Sequence, residues 1–352
     1  MKPALRVVAP GLMTTLQDLG RPGYQRLGIP VSGALDAVSL RAANLLVGNA
    51  LGTGALEIAY QGPTLAVEAE SVRVAFAGGS APVDVVSDQG APNGHRVPPM
   101  QSFRLSKGQI LRIGALSGSA VGYLAVEGGF DIAPALGSQS TFARAGLGGL
   151  HGRALRQGDR LPLRHTRSED RQECMLPSLN LVAPQRFRVV LGPQDDYFTD
   201  EGKRTLLQSV YTVTPSSDRM GMRLAGPLLE HAKGFNIVSD GIAPGSIQVP
   251  GNGLPIVLLA DRQTTGGYPK IATVISADIP ALGRLTPGAK VAFEAVDIAA
   301  AEAAYRQLHA DIDMIARSIV TVRATKIDTT KLLESNLVSG MIDAHDGRPE
   351  HA

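Results

Sequence analysis

The sequence predicts a mainly β protein with some helix, built as two strand-rich halves. Three observations carry this expectation. Glycine and proline, 40 and 23 of 352 residues, punctuate the chain at short intervals, and glycine stands at about 11% against a usual ~7%. Between them lie short runs rich in β-branched residues, the pattern of strands joined by tight turns. Helical periodicity is confined to a few segments. At 352 residues the chain exceeds one ordinary domain of ~150 residues, so two domains are expected.

In chain order, residues 5–10 form an opening strand that stops at Pro10. The first helix runs from Asp36 to Val47, with Asp36 as N-cap and Leu40, Ala43, Leu46 and Val47 on one face. Residues 65–67, 72–76, 83–86, 109–113 and 121–126 read as strands whose spacing suits a closed or strongly curved sheet rather than βαβ units. Residues 1–165 are therefore assigned to the first domain. The polar stretch 166–182, around Cys174 and Pro177, is the candidate linker. A second domain, 183–296, has strands at 187–192, 211–213, 247–249, 256–260, 271–276 and 291–294, with a short helix between Pro193 and Ser209. A C-terminal helix spans 297–320, with Ala301, Ala304, Tyr305, Leu308, Ile312 and Ile315 at helical spacing. The tail 321–352 is mixed, and its end, from Asp343, is expected to be disordered.

Composition excludes several classes of function. Hydrophobic residues at 44% and charged residues at 19% describe a globular chain with an ample core. The net charge of +2, 34 basic against 32 acidic residues, comes without a basic block, so nucleic acid is not an expected partner. Apolar runs such as 256–260 are far shorter than the ~20 residues of a membrane helix, and no leader pattern opens the chain. The single cysteine, Cys174, makes no internal disulfide, which fits a reducing, cytoplasmic setting. There is no P-loop, no nucleophile elbow and no H-E-x-x-H, and the seven histidines are isolated, so no metal site is expected. Without a biotinylation sequence, the chain is expected to carry no covalent biotin.

Four segments hold more polar and glycine detail than folding demands. In Thr14–Gly23, Asp18 and Arg21 are candidates to bind an anion or carboxylate, and read equally well as an internally paired turn. In Pro30–Asp36, Ser32 and Asp36 precede a helix N-terminus, an anion cradle or an ordinary cap. Ser216–Leu224 and Ser239–Gly245 offer Asp218 and Asp240 as acids or bases and Arg219 as an anion clamp, although turn chemistry explains the same pairs. The richest segment is Leu258–Lys270. There Asp261, Arg262, Gln263, Thr264 and Tyr268 surround Gly266–Gly267, which permits close backbone approach to a ligand, and the neutral donors and acceptors suit an amide or lactam.

Read together, "GLMTTLQDLGRPGYQRLGIPVSGALD", "RAANLLVGN", "SSDRMGMRL", "SDGIAPGSIQVPGNGLPIVLLADRQTTGGYPKIATVI" and "LTPGAKVAFE" resemble the allophanate hydrolase subunit 2 family, from Leu5 to Glu294. That family, biotin-dependent-carboxyltransferase-like, includes the C-type subunit of 5-oxoprolinase, Kip-type antagonists and one half of the carboxyltransferase region of urea carboxylase. The resemblance implies two cyclophilin-like β-barrel domains. It also implies a C-type subunit that helps an ATP-dependent 5-oxoprolinase open 5-oxo-L-proline to L-glutamate. A subunit-1-type partner (the B-type subunit of 5-oxoprolinase, Kip inhibitor-like) and the A-type subunit of 5-oxoprolinase would complete it, with ATP and Mg bound on or shared with a partner. The alternatives are the carboxyltransferase component of a biotin-dependent urea or amide carboxylase, and a non-catalytic regulatory partner. On the lactam reading, Arg219 and Arg262 would face phosphate charge. Gln263, Thr264, Gly266, Gly267 and Tyr268 would position the lactam, Asp261 or Asp240 would handle a proton, and Asn236 is a further binding candidate.

Overall fold

The computed structural model describes residues 2–87 and 95–322, and the fold is mainly β. The N-terminal half pairs two antiparallel sheets. One has the order Arg160–Pro162, Ala4–Ala9, Thr64–Val67, Gln109–Ile113, Val83–Ser87, His95–Arg96, and the other Met13–Gln17, Ala55–Ala59, Val121–Val126, Ser71–Ala77, Ser102–Ser106. Leu5, Val7, Leu65 and Leu111 of the first meet Leu16, Leu56, Val74, Phe76 and Leu124 of the second in one core. The second sheet is covered on its other face as well. Helix α1, Ala37–Leu46, lays Leu40, Ala43 and Leu46 against Ala75, Ala77, Tyr123 and Ala125. Ser71–Ala77 and Val121–Val126 are therefore buried at every position, and neither shows the alternation of a strand with one wet face, although Ser71 and Arg73 interrupt the apolar residues of the first.

The connector between the halves is pinned rather than free. Arg73, fully buried in its strand, donates to Glu127 (2.8 Å), to Glu173 (3.0 Å) and to the carbonyls of Glu169 and Arg171. A buried guanidinium without partners would cost several kcal/mol, on the order of 3–5, so the polar residues of 169–173 are consumed in satisfying it.

The C-terminal half is a closed barrel. Its strand order is Phe187–Leu191, Lys270–Val274, Ser246–Gln248, Ile256–Leu258, Gly221–Ala225, Val210–Val213, Lys290–Ala295, and it closes by parallel pairing of Phe187 with Phe293. Phe187, Val189, Tyr211, Ile247, Val257, Val291 and Phe293 fill it. Two short helices, α2 (Asp200–Gln208) and α3 (Ile279–Gly283), flank it. The long α4, Ile298–Ser318, starts on the Asp297 cap, whose side chain accepts from Ala300 N at 2.7 Å. It buries Ile312 and packs Ile315 against the α1 cluster, while Tyr305 stays half-exposed. Val320–Thr321 then pairs with Cys174–Met175 of the connector. From residue 323 the expected tail lies outside the described residues. No helix among the described residues is long and apolar enough to cross a membrane.

The barrel core contains one testable liability. Tyr211 is fully buried, its hydroxyl has no partner, and burial pushes its phenol up to about 12. The unfolded phenol titrates near ~10. The folded state's preference for the neutral ring is therefore fully present below pH ~10 and is lost as pH rises toward ~12. Tyr211→Phe is expected to stabilise the protein by about 1 kcal/mol at neutral pH, by removing a desolvated O–H, and to flatten the alkaline loss. Denaturant unfolding at neutral and alkaline pH checks both, and a Phe variant less stable at neutral pH would show that the hydroxyl is satisfied.

Candidate functional site

The two halves meet around Arg219. It sits in the turn before Gly221–Ala225, held by Asp218, whose Oδ1 accepts from Met220 N (2.8 Å) and Gly221 N (3.1 Å). Asp261, just past Ile256–Leu258, is fixed beside it because its N–H donates to the Arg219 carbonyl at 2.9 Å. The guanidinium then makes a fork to Asp261, Nε to Oδ2 at 2.8 Å and Nη2 to Oδ1 at 3.1 Å. Across the junction, Nη1 bonds to Glu57 and Nη2 donates to the Gly33 carbonyl at 2.6 Å. Glu57 also accepts from Tyr123 Oη (2.6 Å) and Leu35 N (2.8 Å), and Tyr123 Oη in turn accepts from Asp36 N at 2.8 Å. Burial opposes the Arg219 charge, but Glu57 and Asp261 outweigh it, and its pKa is raised. Burial, followed by Glu57 and Asp36, holds the Tyr123 phenol well above its ordinary value.

Gly33 lets the two loops approach backbone to backbone. Its φ is +92°, and a Cβ there would stand 2.9 Å from Gly20 N. Next to it Ser32 is buried at φ +55°, donates its N–H to the Ala260 carbonyl at 3.2 Å and leaves its hydroxyl without a partner. Two cavities flank Arg219. One, of about 120 Å³, is lined by Thr15, Thr141 and Arg144 of the N-terminal half and by Asp218, Arg219 and Asp261 of the barrel. The other, of about 220 Å³, is mainly apolar, between Leu35, Tyr60 and Val121 on one side and Leu259 and Leu282 on the other.

Asp18 and Arg21 lie nearby but do not pair with each other. Asp18 accepts from Gly20 N (2.8 Å), Ser138 Oγ (2.6 Å), Ser140 Oγ (2.5 Å) and Gln139 N (2.6 Å). Arg21, fully buried, bonds to the carbonyls of Ala135 and Ser140 and leaves Nη1 unpartnered. Burial lowers its pKa, against the pull of Asp18 and Asp261. Of the two readings of this segment, the turn held by an internal Asp18–Arg21 pair is not formed: the carboxylate is taken by Gly20 N and the loop 138–140. Asp36 is likewise taken, capping α1 through Val38 N (3.0 Å) and Ser39 N (3.2 Å) and pairing with Arg284 at 2.9 Å.

The remaining sequence candidates gather at the ribbon in which Asp240–Gly241 pairs with Thr265–Gly266. Lys270, buried in its barrel strand, donates to Asp240 (2.8 Å) and the Gly241 carbonyl (3.2 Å), and Gln194 donates to Asp240 at 3.2 Å. These bonds, Lys270 first, hold the half-exposed Asp240 carboxyl below the usual carboxylate range. Gln263 donates to Gln248 at 3.3 Å, and the Thr264 carbonyl accepts from Ile242 N at 3.0 Å. Tyr268 and Asn236 are exposed. Gly266 does permit a close approach, but to protein: a Cβ would stand 2.6 Å from Gln248 Nε2. A Cβ on Gly267 would meet nothing closer than 3.5 Å. Packing therefore explains Gly266 but not Gly267, and Gln263, Thr264 and Tyr268 do not line the cavity that Asp261 lines.

Of the two arginines expected to face phosphate, Arg219 does not fit, because two carboxylates neutralise it. Arg262 fits better. It gives Nε to the Ile242 carbonyl (3.1 Å) and Nη1 to that of Leu259 (3.3 Å), has no carboxylate partner among the described residues, and burial alone lowers its pKa. Its charge is uncompensated and suited to an anion. Among the described residues no cluster of His, Cys, Asp and Glu could hold a metal ion.

Comparison with known proteins places this architecture. The model of the family described as carboxyltransferase domain, subdomain A and B, matches residues 27–295. The chain belongs to this carboxyltransferase family. It is 38% identical over 290 residues to the C-type subunit of 5-oxoprolinase from Escherichia coli, covering 82% of this chain and 90% of that protein. With the C-type subunit of 5-oxoprolinase from Haemophilus influenzae it shares 37% over 309 residues, 87% of this chain and 95% of that one. The crystal structure of Kluyveromyces lactis urea carboxylase superimposes with a TM-score of 0.80 at 30% identity, over 92% of this chain and 30% of that longer one. The carboxyltransferase-family match covers part of both halves, including Glu57, Tyr123, Thr141, Arg144, Arg219 and Asp261 at the junction, but not Thr15, Asp18 or Arg21.

Glu57, Tyr123 and Lys270 were not singled out from the sequence, although each bears a signal. Glu57 interrupts the apolar strand Ala55–Ala59, and Tyr123 sits in an otherwise aliphatic one. Lys270 opens a strand whose other residues are apolar or Thr. A charge or a phenol inside a buried strand requires a partner: Glu57 finds Arg219 of the other half, Tyr123 finds Glu57, and Lys270 finds the ribbon.

Proposed function

We propose that this chain is the C-type subunit of an ATP-dependent 5-oxoprolinase. It would work with a subunit-1-type partner and an A-type subunit in opening 5-oxo-L-proline to L-glutamate. The observation that carries the reading is the match to two C-type subunits of 5-oxoprolinase over 90% and 95% of their own lengths, against 30% of urea carboxylase.

A lactam carbonyl is a poor electrophile, and ATP, bound on or shared with a partner, would supply its activation at oxygen. This chain would contribute the junction cavity. Arg262 carries positive charge without a carboxylate partner among the described residues, but it is buried and lines neither cavity, so it would act on a phosphate group only through the field it adds to the junction. Asp261 lines the cavity, as Asp218 does, and is fixed in orientation by the Arg219 fork. It is the proton acceptor in this reading, taking a proton from the water that attacks the phosphorylated carbonyl carbon and passing it to the ring nitrogen, which leaves as the amine when the C–N bond breaks; a second water then hydrolyses the acyl phosphate to the carboxylate and free phosphate. The superposition on urea carboxylase supports a second reading, in which the same cavity holds an amide nitrogen that receives a carboxyl group and Asp261 takes its proton.

The test is purification of the chain with its native partners and assay of the complex for ATP-dependent release of glutamate from 5-oxo-L-proline. Turnover that disappears when this chain is omitted supports the first reading. Co-purification of a biotinylated carrier, with bicarbonate- and biotin-dependent turnover of urea, would replace it with the second.

A further inference from the structure

We infer that the cavity of about 120 Å³ at the junction recognises the edge of a cis amide through Thr15 and Thr141, and that Arg144 reads a carboxylate attached to it. The inference rests on the 5-oxoprolinase reading and adds to it the residues that select a lactam acid.

The size is the first point. The space is the smaller of the two flanking Arg219, about 120 Å³, which suits a small ring or amide. The second point is the hydrogen-bonding pattern of one wall. Gln17 ties the two threonines together, donating to Thr15 Oγ1 at 3.0 Å and to the Thr141 carbonyl at 3.1 Å. Thr15 Oγ1 accepts there, so its own O–H remains to donate. Thr141 Oγ1 spends its proton on the Leu16 carbonyl at 3.0 Å, so its oxygen remains to accept. One donor beside one acceptor is the complement of a C=O and an N–H on the same edge, which a lactam holds rigidly and a primary amide or urea also presents. Both threonines are buried, so the pattern is set by the fold.

Arg144 stands at the exposed side of the cavity and bonds to Asp218 of the barrel at 3.1 Å. Exposed pairs of this kind contribute ~0–1 kcal/mol, so the guanidinium can exchange Asp218 for a ligand carboxylate at little cost. Asp218 keeps its bonds from Met220 N and Gly221 N when Arg144 turns away. A ring amide in the cavity with its carboxylate on Arg144 is the layout of 5-oxo-L-proline. Urea has the amide edge and nothing for Arg144.

The experiment is calorimetric titration of the assembled complex, without ATP, using 5-oxo-L-proline, 2-pyrrolidinone (the same ring without the carboxylate) and urea. The expected result is 5-oxo-L-proline binding a few-fold tighter, up to about fivefold, than either neutral ligand, the range of an exposed charge pair. Arg144→Gln should abolish that preference while leaving 2-pyrrolidinone binding unchanged, and Thr141→Val should weaken both lactams. Arg144 and Thr141 share the cavity with Arg219 but make none of its hydrogen bonds, and an unchanged thermal melt confirms that each variant is folded. If Arg144→Gln leaves the preference intact while the complex still turns over 5-oxo-L-proline, the inference fails and the 5-oxoprolinase reading stands. If the complex shows no such turnover and urea binds as tightly as 5-oxo-L-proline, both fall.

Discussion

Arg219→Ala is expected to destabilise the protein by about 3–5 kcal/mol, the range for removing one partner from a buried ion pair. The effect is large because two carboxylates lose their counter-charge together: the Glu57 side chain is 4% exposed and that of Asp261 10%. Glu57 keeps Tyr123 and Leu35 N as donors, but neither carries charge. Arg219→Lys keeps the charge and loses the planar fork, so an intermediate loss is expected. The chain has no tryptophan, which makes far-UV circular dichroism the suitable probe of denaturant unfolding. A loss under ~1 kcal/mol at neutral pH, the range of an exposed pair, would mean that the junction is hydrated and Arg219 is not what joins the halves.

The elements read most clearly from sequence are those whose signals are local. Asp36 begins α1 because its side chain caps the helix, and Leu40, Ala43 and Leu46 recur on the face that packs. Asp297 begins α4 for the same reason. The strands follow from β-branched runs between glycines, and the two-faced burial of Ser71–Ala77 accounts for its lack of polar alternation, Arg73 apart. What the sequence conceals is pairing at a distance. The connector looks like a polar tether because its partner, Arg73, lies about 100 positions earlier in the chain. The site candidates Asp18, Arg21, Ser32, Asp36, Arg219 and Asp261 do converge near one junction, yet Asp18 and Asp36 are spent on loop and helix caps. Gln263, Thr264 and Tyr268 follow Asp261 closely in sequence, but the chain turns at buried Arg262 toward the ribbon and carries them away from the cavity. Adjacency in sequence suggested a single site, whereas the fold sorts those residues between two.

That sorting yields the second large effect: Asp261→Asn is expected to lower the turnover of the assembled complex by at least ~100-fold, and Asp240→Asn by no more than a few-fold. Both aspartates are bonded to a cation, so cation pairing alone does not separate them. Asp240 is half-exposed, and its bonds from Lys270 and Gln194 hold its carboxyl below the ordinary range, which makes it a weak base and a sound anchor for the ribbon. Asp261 lines the cavity between the halves, where a substrate atom can reach it and where low exposure strengthens each electrostatic contact. The substitution to Asn is nearly isosteric and leaves Arg219 paired with Glu57. A stability change much smaller than that of Arg219→Ala, together with the full loss of turnover, separates a chemical role from a structural one. The pH dependence adds a second criterion: if Asp261 accepts the proton, the acidic limb of the kcat profile should vanish in the residual activity of the Asn variant. Near-normal turnover in Asp261→Asn, with the loss appearing in Asp240→Asn instead, would move the chemistry to the ribbon and leave the Arg219–Asp261 fork as the clasp between the two halves.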